Sequence, residues 1–304
     1  MNLLVGIFLA FIALFSGSPL IALILGTSLT LIFGSSEKLI NRSTGTLFLQ
    51  AGIVIIGLTM SASNAINLTA TYFPYISIFV ILVFLAGILI GRILKIDTKL
   101  SILIASGTAV CGVTAIAAIS PLIKAKQKDL LTSLAIIFVF NLIAIAIFPA
   151  IGSSIGMTEE SFGAWIAMAI HDTSSVIGTA LSYGGSTAET AATLKLGRTL
   201  WLIPLIIILG LLFKNDENQK TKLPLFVFVF ILAVLLGTQL NLDQQTALVL
   251  DNLSRLFLIA ALFCIGTQIS PKSLKEVGPK IILSASALWV FAVITSFFLI
   301  NWLH

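Results

Sequence analysis

The feature that most constrains this chain is a succession of apolar blocks, each near the length of a bilayer crossing and joined to the next by a short polar connector. A helix needs about 20 predominantly apolar residues to cross the hydrocarbon core. Read against turn signals, the blocks fall at 3–16, 19–34, 46–62, 73–93, 101–122, 129–150, 162–184, 194–213, 223–240, 253–269 and 280–302. Charged residues make up only 10% of the chain, against roughly 25% in a soluble domain. The bilayer is therefore the expected solvent, and no stretch is left over for a separate soluble domain. The block after Asn2 has no basic residues ahead of it, and Ser16-Gly17-Ser18-Pro19 leads directly into more apolar sequence. It reads as a first membrane segment rather than a cleaved leader.

The expected fold is an all-α membrane protein with about 9–11 transmembrane segments, organised as a single domain over 1–304. Two of the blocks, 101–122 and 162–184, are rich in Ser, Thr, Gly and Ala and are expected to be interrupted or re-entrant. Together with their neighbours they form an interrupted-helix core over 73–213. Outside it, Ile21-Ala22-Leu23-Ile24-Leu25-Gly26-Thr27 resembles Leu232-Ala233-Val234-Leu235-Leu236-Gly237-Thr238, and Leu47-Phe48-Leu49 through Ile56-Gly57 resembles Leu256-Phe257-Leu258 through Ile265-Gly266. The two matches share nearly the same offset, so segments 19–62 and 223–270 are expected to be repeat-related, as in transporters built from two inverted copies.

Basic residues cluster in five connectors: Lys38 and Arg42; Arg92, Lys95 and Lys99; Lys124, Lys126 and Lys128; Lys214, Lys220 and Lys222; Lys272, Lys275 and Lys280. If every block crossed fully, two of these would lie on opposite sides and one would break the positive-inside rule. If 101–122 and 162–184 each enter and return on their own side, all five become cytoplasmic and the repeat segments run in opposite directions. A broken helix that crosses fully is the alternative. The net charge of +5 thus reflects topology, and no basic face is gathered for a nucleic acid.

Chemistry concentrates in the two interrupted blocks. The first holds Ser106-Gly107-Thr108-Ala109-Val110-Cys111-Gly112-Val113-Thr114. Glycine lets the backbone leave helical geometry, and the N–H and C=O groups so released must line a cavity or bind something, because lipid cannot pair them. Half-helix N-termini in such breaks suit an anionic group. Close packing is the plainer role for Gly107 and Gly112, but the hydroxyls of Ser106, Thr108 and Thr114 favour a site. The second block holds Ile170-His171-Asp172-Thr173-Ser174-Ser175. An ionisable residue in a membrane block costs at least about 2.5 kcal/mol on insertion scales and so points to function. His171 and Asp172 are candidates for proton or ion coupling, or for capping a half-helix. Lys195 and Arg198 share a helix face just beyond. Lys195 fits an interfacial cation as well as a coupling residue, whereas Arg198 is placed to hold an oxyanion, or to pair with Asp172 when the site is empty.

Candidate substrate-binding residues are therefore Ser106, Gly107, Thr108, Cys111, Gly112, Thr114, Ser174, Ser175 and Arg198, with His171, Asp172 and Lys195 for coupling. Cys111 and Cys264 lie inside apolar blocks and supply neither a disulfide framework nor a zinc set, and no metal or other cofactor is expected. An intramembrane enzyme is not expected either. An aspartyl mechanism needs a second membrane carboxylate beside Asp172, and His171 is the only histidine before His304.

Taken together, the 104–125 stretch with Val110-Cys111-Gly112 leading to Pro121 and Lys124, the Ile170-His171-Asp172 step, Lys195 with Arg198, and Ile265-Gly266 resemble the bacterial membrane family labelled sulfate exporters, over nearly the whole chain. Relatives often carry Ser-Ile-Cys-Gly and His-Glu where this chain has Ala109-Val110-Cys111-Gly112 and His171-Asp172, so the acid here keeps its charge but has a shorter reach. The resemblance implies kinship with bile-acid/sodium symporters and sodium/proton antiporters, with two inverted repeats and a mobile core moving against a static scaffold. It also implies a small anionic substrate such as sulfate, sulfite or a sulfonate, coupling to H+ or Na+, the bacterial inner membrane and a possible homodimer. An anion channel or another organic-anion carrier of the same fold is the alternative.

Overall fold

The computed structural model describes residues 2–33, 42–60, 62–213, 225–240, 242–267 and 277–303, and the regular structure among them is helical throughout. The elements are α1 (Asn2–Ser16), α2 (Pro19–Phe33), α3 (Arg42–Thr59), α4 (Ala62–Ile93), α5 (Thr98–Ser106), a π turn (Gly107–Cys111), α6 (Val113–Leu122), α7 (Gln127–Ser154), α8 (Glu159–Ala169), α9 (Thr173–Tyr183), α10 (Thr187–Thr199), α11 (Leu202–Phe213), α12 (Leu225–Leu240), α13 (Gln244–Gly266) and α14 (Pro279–Leu303). Among the described residues, five helices are long and apolar enough to cross a bilayer: α4, α7, α10 running on into α11, α13 and α14. Bulky apolar side chains such as Phe11, Phe15, Leu89, Leu211 and Phe298 point outward. In water they would form aggregation-prone patches, and in lipid they face their own kind. Of the five basic connectors, those at Lys38, Lys214–Lys222 and Lys272–Lys275 lie outside the described residues.

Helix ends depart from the apolar blocks in one consistent way. The connector expected at 62–72 is the first third of α4, which continues through Pro74, and the polar run 187–193 opens α10. α7 likewise carries on past Pro149 to Ser154. A bilayer measures about 40–45 Å with its interfacial zones, while its hydrocarbon core is only about 30 Å thick. Helices therefore persist where hydropathy has already fallen. Within α10 a second reason applies: Thr187, Thr190 and Thr193 are buried against neighbouring helices.

Two groups of helices result. α1, α2, α3, α12 and α13 pack on one another, while α4 to α11 and α14 form the second group around the interrupted blocks. In the first group the backbones approach closely at small residues. A Cβ on Gly26 would strike the Phe263 carbonyl and crowd the Gly266 Cα, and one on Gly237 would strike the Leu58 carbonyl beside Gly57. Thr30 and Ser254 add interhelical hydrogen bonds, to the carbonyls of Thr267 at 2.7 Å and Gly52 at 3.1 Å. Gly26→Ala is expected to destabilise the protein by about 1–3 kcal/mol, since backbone cannot yield as a side-chain tip can. A thermal melt in detergent indistinguishable from the unmodified chain would refute this contact.

The two interrupted blocks each fold as a hairpin whose ends meet. For 98–122, the Asp97 carboxylate accepts hydrogen bonds from the Lys99 and Leu100 N–H groups, capping α5. The Lys99 ammonium then donates to the Lys124 carbonyl at 2.8 Å, so the first and last residues of the segment lie side by side. For 159–183, the Ser186 N–H and hydroxyl donate to Glu159 at 2.8 and 2.9 Å, and the Tyr183 hydroxyl donates to the Met157 carbonyl at 2.6 Å. Phe162 and Tyr183 stack with centroids 3.9 Å apart just inside. α7 joins the mouth of one hairpin to the mouth of the other. Its 28 residues measure about 42 Å at 1.5 Å per residue, so the hairpins enter from opposite ends of the bundle.

Candidate functional site

The hairpin tips touch at mid-depth. Gly112 closes the first turn with φ 53 and ψ −118, a backbone conformation open essentially to glycine alone. A Cβ there would stand 3.1 Å from the His171 carbonyl carbon and 3.2 Å from the Asp172 N and Cα. The second tip breaks because Ile170 and Asp172 are extended. α8 therefore ends on freed carbonyls and α9 starts on freed N–H groups. In the first hairpin the π turn leaves the carbonyls of Thr108 and Ala109 unused by the helix and starts α6 with no side-chain cap.

α10 supplies what those carbonyls lack. The Arg198 guanidinium, fully buried, donates from Nε to Ala109 O at 2.8 Å and from its terminal nitrogens to Thr108, Ala167, Met168 and Ile170 O, the last three at 3.0, 2.6 and 3.2 Å. Lys195, one helical turn earlier and equally buried, donates to Ile170 O at 2.7 Å. The Phe79 ring lies 4.9 Å from the Arg198 Cζ as a cation–π partner. Two basic side chains thus sit on the C-terminal, electronegative ends of the inward half-helices. The electropositive N-termini of α6 and α9 are left facing the junction.

The sequence-predicted residues separate accordingly. Gly112, His171, Asp172 and Ser174 come together at the tips. Asp172 caps α9: its carboxylate accepts the Ser174 N–H at 3.1 Å and the Ser174 hydroxyl. Thr114 is exposed, and Asp172 and Thr173 are half-exposed, so the junction has an opening. Ser106 and Thr108 lie deeper, and their hydroxyls return to their own helix at Ile102 O and Ile104 O, 2.6 and 2.9 Å away. Gly107 packs on Ile137 and Ile116, below the tip. Ser175 is buried behind Ser174, while Cys111 is buried in the turn with its thiol against the Ala115 N–H. Arg198 bonds to main-chain carbonyls instead of the Asp172 carboxylate offered to it by sequence, because the two half-helix ends reach it first. The His171 ring is buried among aromatic rings, 6.0 Å from Phe140 and 6.4 Å from Trp289 by centroids, and its Nδ1 has no hydrogen-bond partner among the described residues.

One residue that sequence reasoning passed over belongs with these. Asn141 lies at the middle of α7, is 2% exposed, and neither its amide nitrogen nor its amide oxygen has a hydrogen-bond partner among the described residues. A single amide between Phe140 and Leu142 in the otherwise apolar run 134–148 was the available signal, since polar side chains at membrane depth need a reason to be there. Among the described residues no cluster of three or more His, Cys, Asp or Glu could hold a metal ion.

Compared with known proteins, residues 3–285 match the family described as Conserved hypothetical protein 698. A UPF0324 membrane protein of Bacteroides thetaiotaomicron is 40% identical over 275 residues, covering 90% of this chain and 83% of the relative. UPF0324 membrane proteins of Vibrio parahaemolyticus and Shewanella oneidensis are each 36% identical, covering 95% and 93% of this chain and 93% and 89% of their own lengths. No solved structure matches the chain.

Proposed function

Because the chain belongs to the Conserved hypothetical protein 698 family, the UPF0324 membrane proteins, we propose for it what the family description leaves open: secondary active transport of a small oxyanion by alternating access. The observation that carries this is the electrostatic sorting at the hairpin tips. Both half-helix C-termini are occupied by Arg198 and Lys195, whereas the α6 N-terminus has no side-chain cap and opens beside Thr114 and Thr173. N–H donors at a positive dipole end, inside a low-dielectric bundle, suit a negative charge. Sulfate, sulfite and sulfonate-type anions carry such a charge. Asp172, an acid at the mouth of that site, is the candidate for sensing H+ or Na+, with His171 behind it.

An inverted repeat relating α2–α3 to α12–α13 belongs to the same proposal. Its support is the exchange of contacts: Gly26 of α2 meets Gly266 of α13, and of their counterparts Gly237 of α12 closely approaches Leu58 of α3 while Gly57 of α3 approaches Phe230 of α12. The α1–α3, α12, α13 group would serve as scaffold and the hairpin group as the moving body, touching it mainly through α9 and α7. Arg92, Lys95, Lys99, Lys124, Lys126 and Lys128 surround the mouth of the first hairpin, and Glu159 and Glu160 the mouth of the second. By the positive-inside rule the first mouth is cytoplasmic, which suits the inner membrane of a bacterium.

The test is uptake of radiolabelled sulfate and sulfite into proteoliposomes, with and without an imposed pH or sodium gradient. Saturable, gradient-driven uptake with counterflow is the expected result. Single-channel currents without counterflow would replace the carrier by a pore, and no flux of either anion under any gradient would remove the oxyanion assignment.

A further inference from the structure

Asn141 is costly to keep where it is. Burying an amide with no partner is unfavourable, and an apolar residue would fit the α7 surroundings better. Its neighbours along the helix show where it faces. Ile137, Asn141 and Ile145 stand one turn apart on a single stripe of α7. Ile137 packs where a Cβ on Gly107 would fall, in the first hairpin. The Ile145 Cδ1 lies 3.6 Å from the Cβ position of Gly178, in the second. Asn141 is the stripe residue between them and so is directed at the level where the two tips meet. Phe140, next in sequence, confirms that level by stacking on His171 of the second tip.

We propose that Asn141 is a specificity-determining ligand of the oxyanion site and selects an oxyanion that still carries a proton. This rests on the oxyanion reading above and refines it. The α6 N-terminus offers only donors, which any oxyanion satisfies. The amide of Asn141 offers donors through Nδ2 and an acceptor through Oδ1, and the Asp172 carboxylate at the same junction is a second acceptor. A fully deprotonated anion has only lone pairs, so it would leave Oδ1 unpaired and meet the carboxylate as a like charge. A monoprotonated oxyanion can fill the α6 donors and the Nδ2–H with its oxygens while giving its O–H to an acceptor. Sites built around such a buried group discriminate strongly against an analogue that cannot pair with it.

The experiment measures binding of three probes to the purified full-length chain near neutral pH, for the unmodified protein and Asn141→Leu. The probes are sulfate, which carries no proton there, phosphate, which carries at least one, and sulfite held on the acidic side, where it is hydrogensulfite. We expect phosphate or hydrogensulfite to bind at least about tenfold more tightly than sulfate, and Asn141→Leu to bring that preference down to about twofold or less. Without ligand, Asn141→Leu should melt at or above the unmodified protein, because the substitution removes an unpartnered polar group. An unchanged preference in the variant would overturn the role of Asn141 and leave the oxyanion reading standing. Sulfate binding as well as the protonated probes in the unmodified protein would overturn the selectivity. A variant that melts well below the unmodified protein would make Asn141 structural, and binding of no probe by the unmodified protein would remove the oxyanion reading itself.

Discussion

Arg198→Met is expected to lower the stability of the protein by about 3–5 kcal/mol, the range seen when one member of a buried charged arrangement is removed. Methionine fills much of the same volume, so the loss is electrostatic. Five hydrogen bonds from one guanidinium hold the carbonyls of Thr108 and Ala109 against those of Ala167, Met168 and Ile170. With the guanidinium gone, those carbonyls face one another at the meeting point of two half-helices, in surroundings that water cannot reach. The planar five-donor fork matters as much as the charge, and Arg198→Lys should recover only a minor part. Thermal melts with fluorescence-detected gel filtration measure this. A methionine variant that elutes as a single peak and melts within a few degrees of the unmodified protein would show that the tips hold together without Arg198.

Asp172 should respond to substitution in two separable ways. Asparagine is as good an N-cap as aspartate, so Asp172→Asn keeps the acceptor for the Ser174 N–H and should change stability by less than about 0.5 kcal/mol, whereas Asp172→Ala should lose about 1 kcal/mol with the cap. Gradient-driven anion flux should fall by more than about tenfold in both, because a site that couples through a carboxylate cannot do so without one. Proteoliposome flux under an imposed pH or sodium gradient, read beside a melting curve, distinguishes the two roles. Full gradient-driven flux in Asp172→Asn would leave Asp172 as a helix cap and nothing more.

Much of the helix content and the two breaks was legible from residue types, because lipid allows so few solutions. A run such as 73–93 must be helical to pair its backbone, and the Ser/Gly/Thr-rich stretches at 106–114 and 170–178 stand out as places where that pairing is interrupted. The helical polar ends, 62–72 and 187–193, were not legible. Their pattern is that of a connector, and only interfacial and tertiary burial makes them helix.

What the sequence determined by itself was the solvent, the helical class and the position of the breaks, all consequences of local composition against a slab of known thickness. It also marked His171 and Asp172 as side chains costly enough to point to function and Arg198 as a candidate oxyanion holder, while leaving Lys195 open between an interfacial cation and a coupling residue. Which partner each one takes was decided by tertiary structure. Arg198 meets carbonyls from two hairpins some 30 and 90 positions away in the chain, Asp172 turns back on Ser174, and Asn141 finds itself between two isoleucines of α7 that pack against different hairpins. Hydrogen bonding is directional and short-ranged, so a residue's partners depend on which backbones arrive within about 3 Å, and that depends on the packing of the whole bundle.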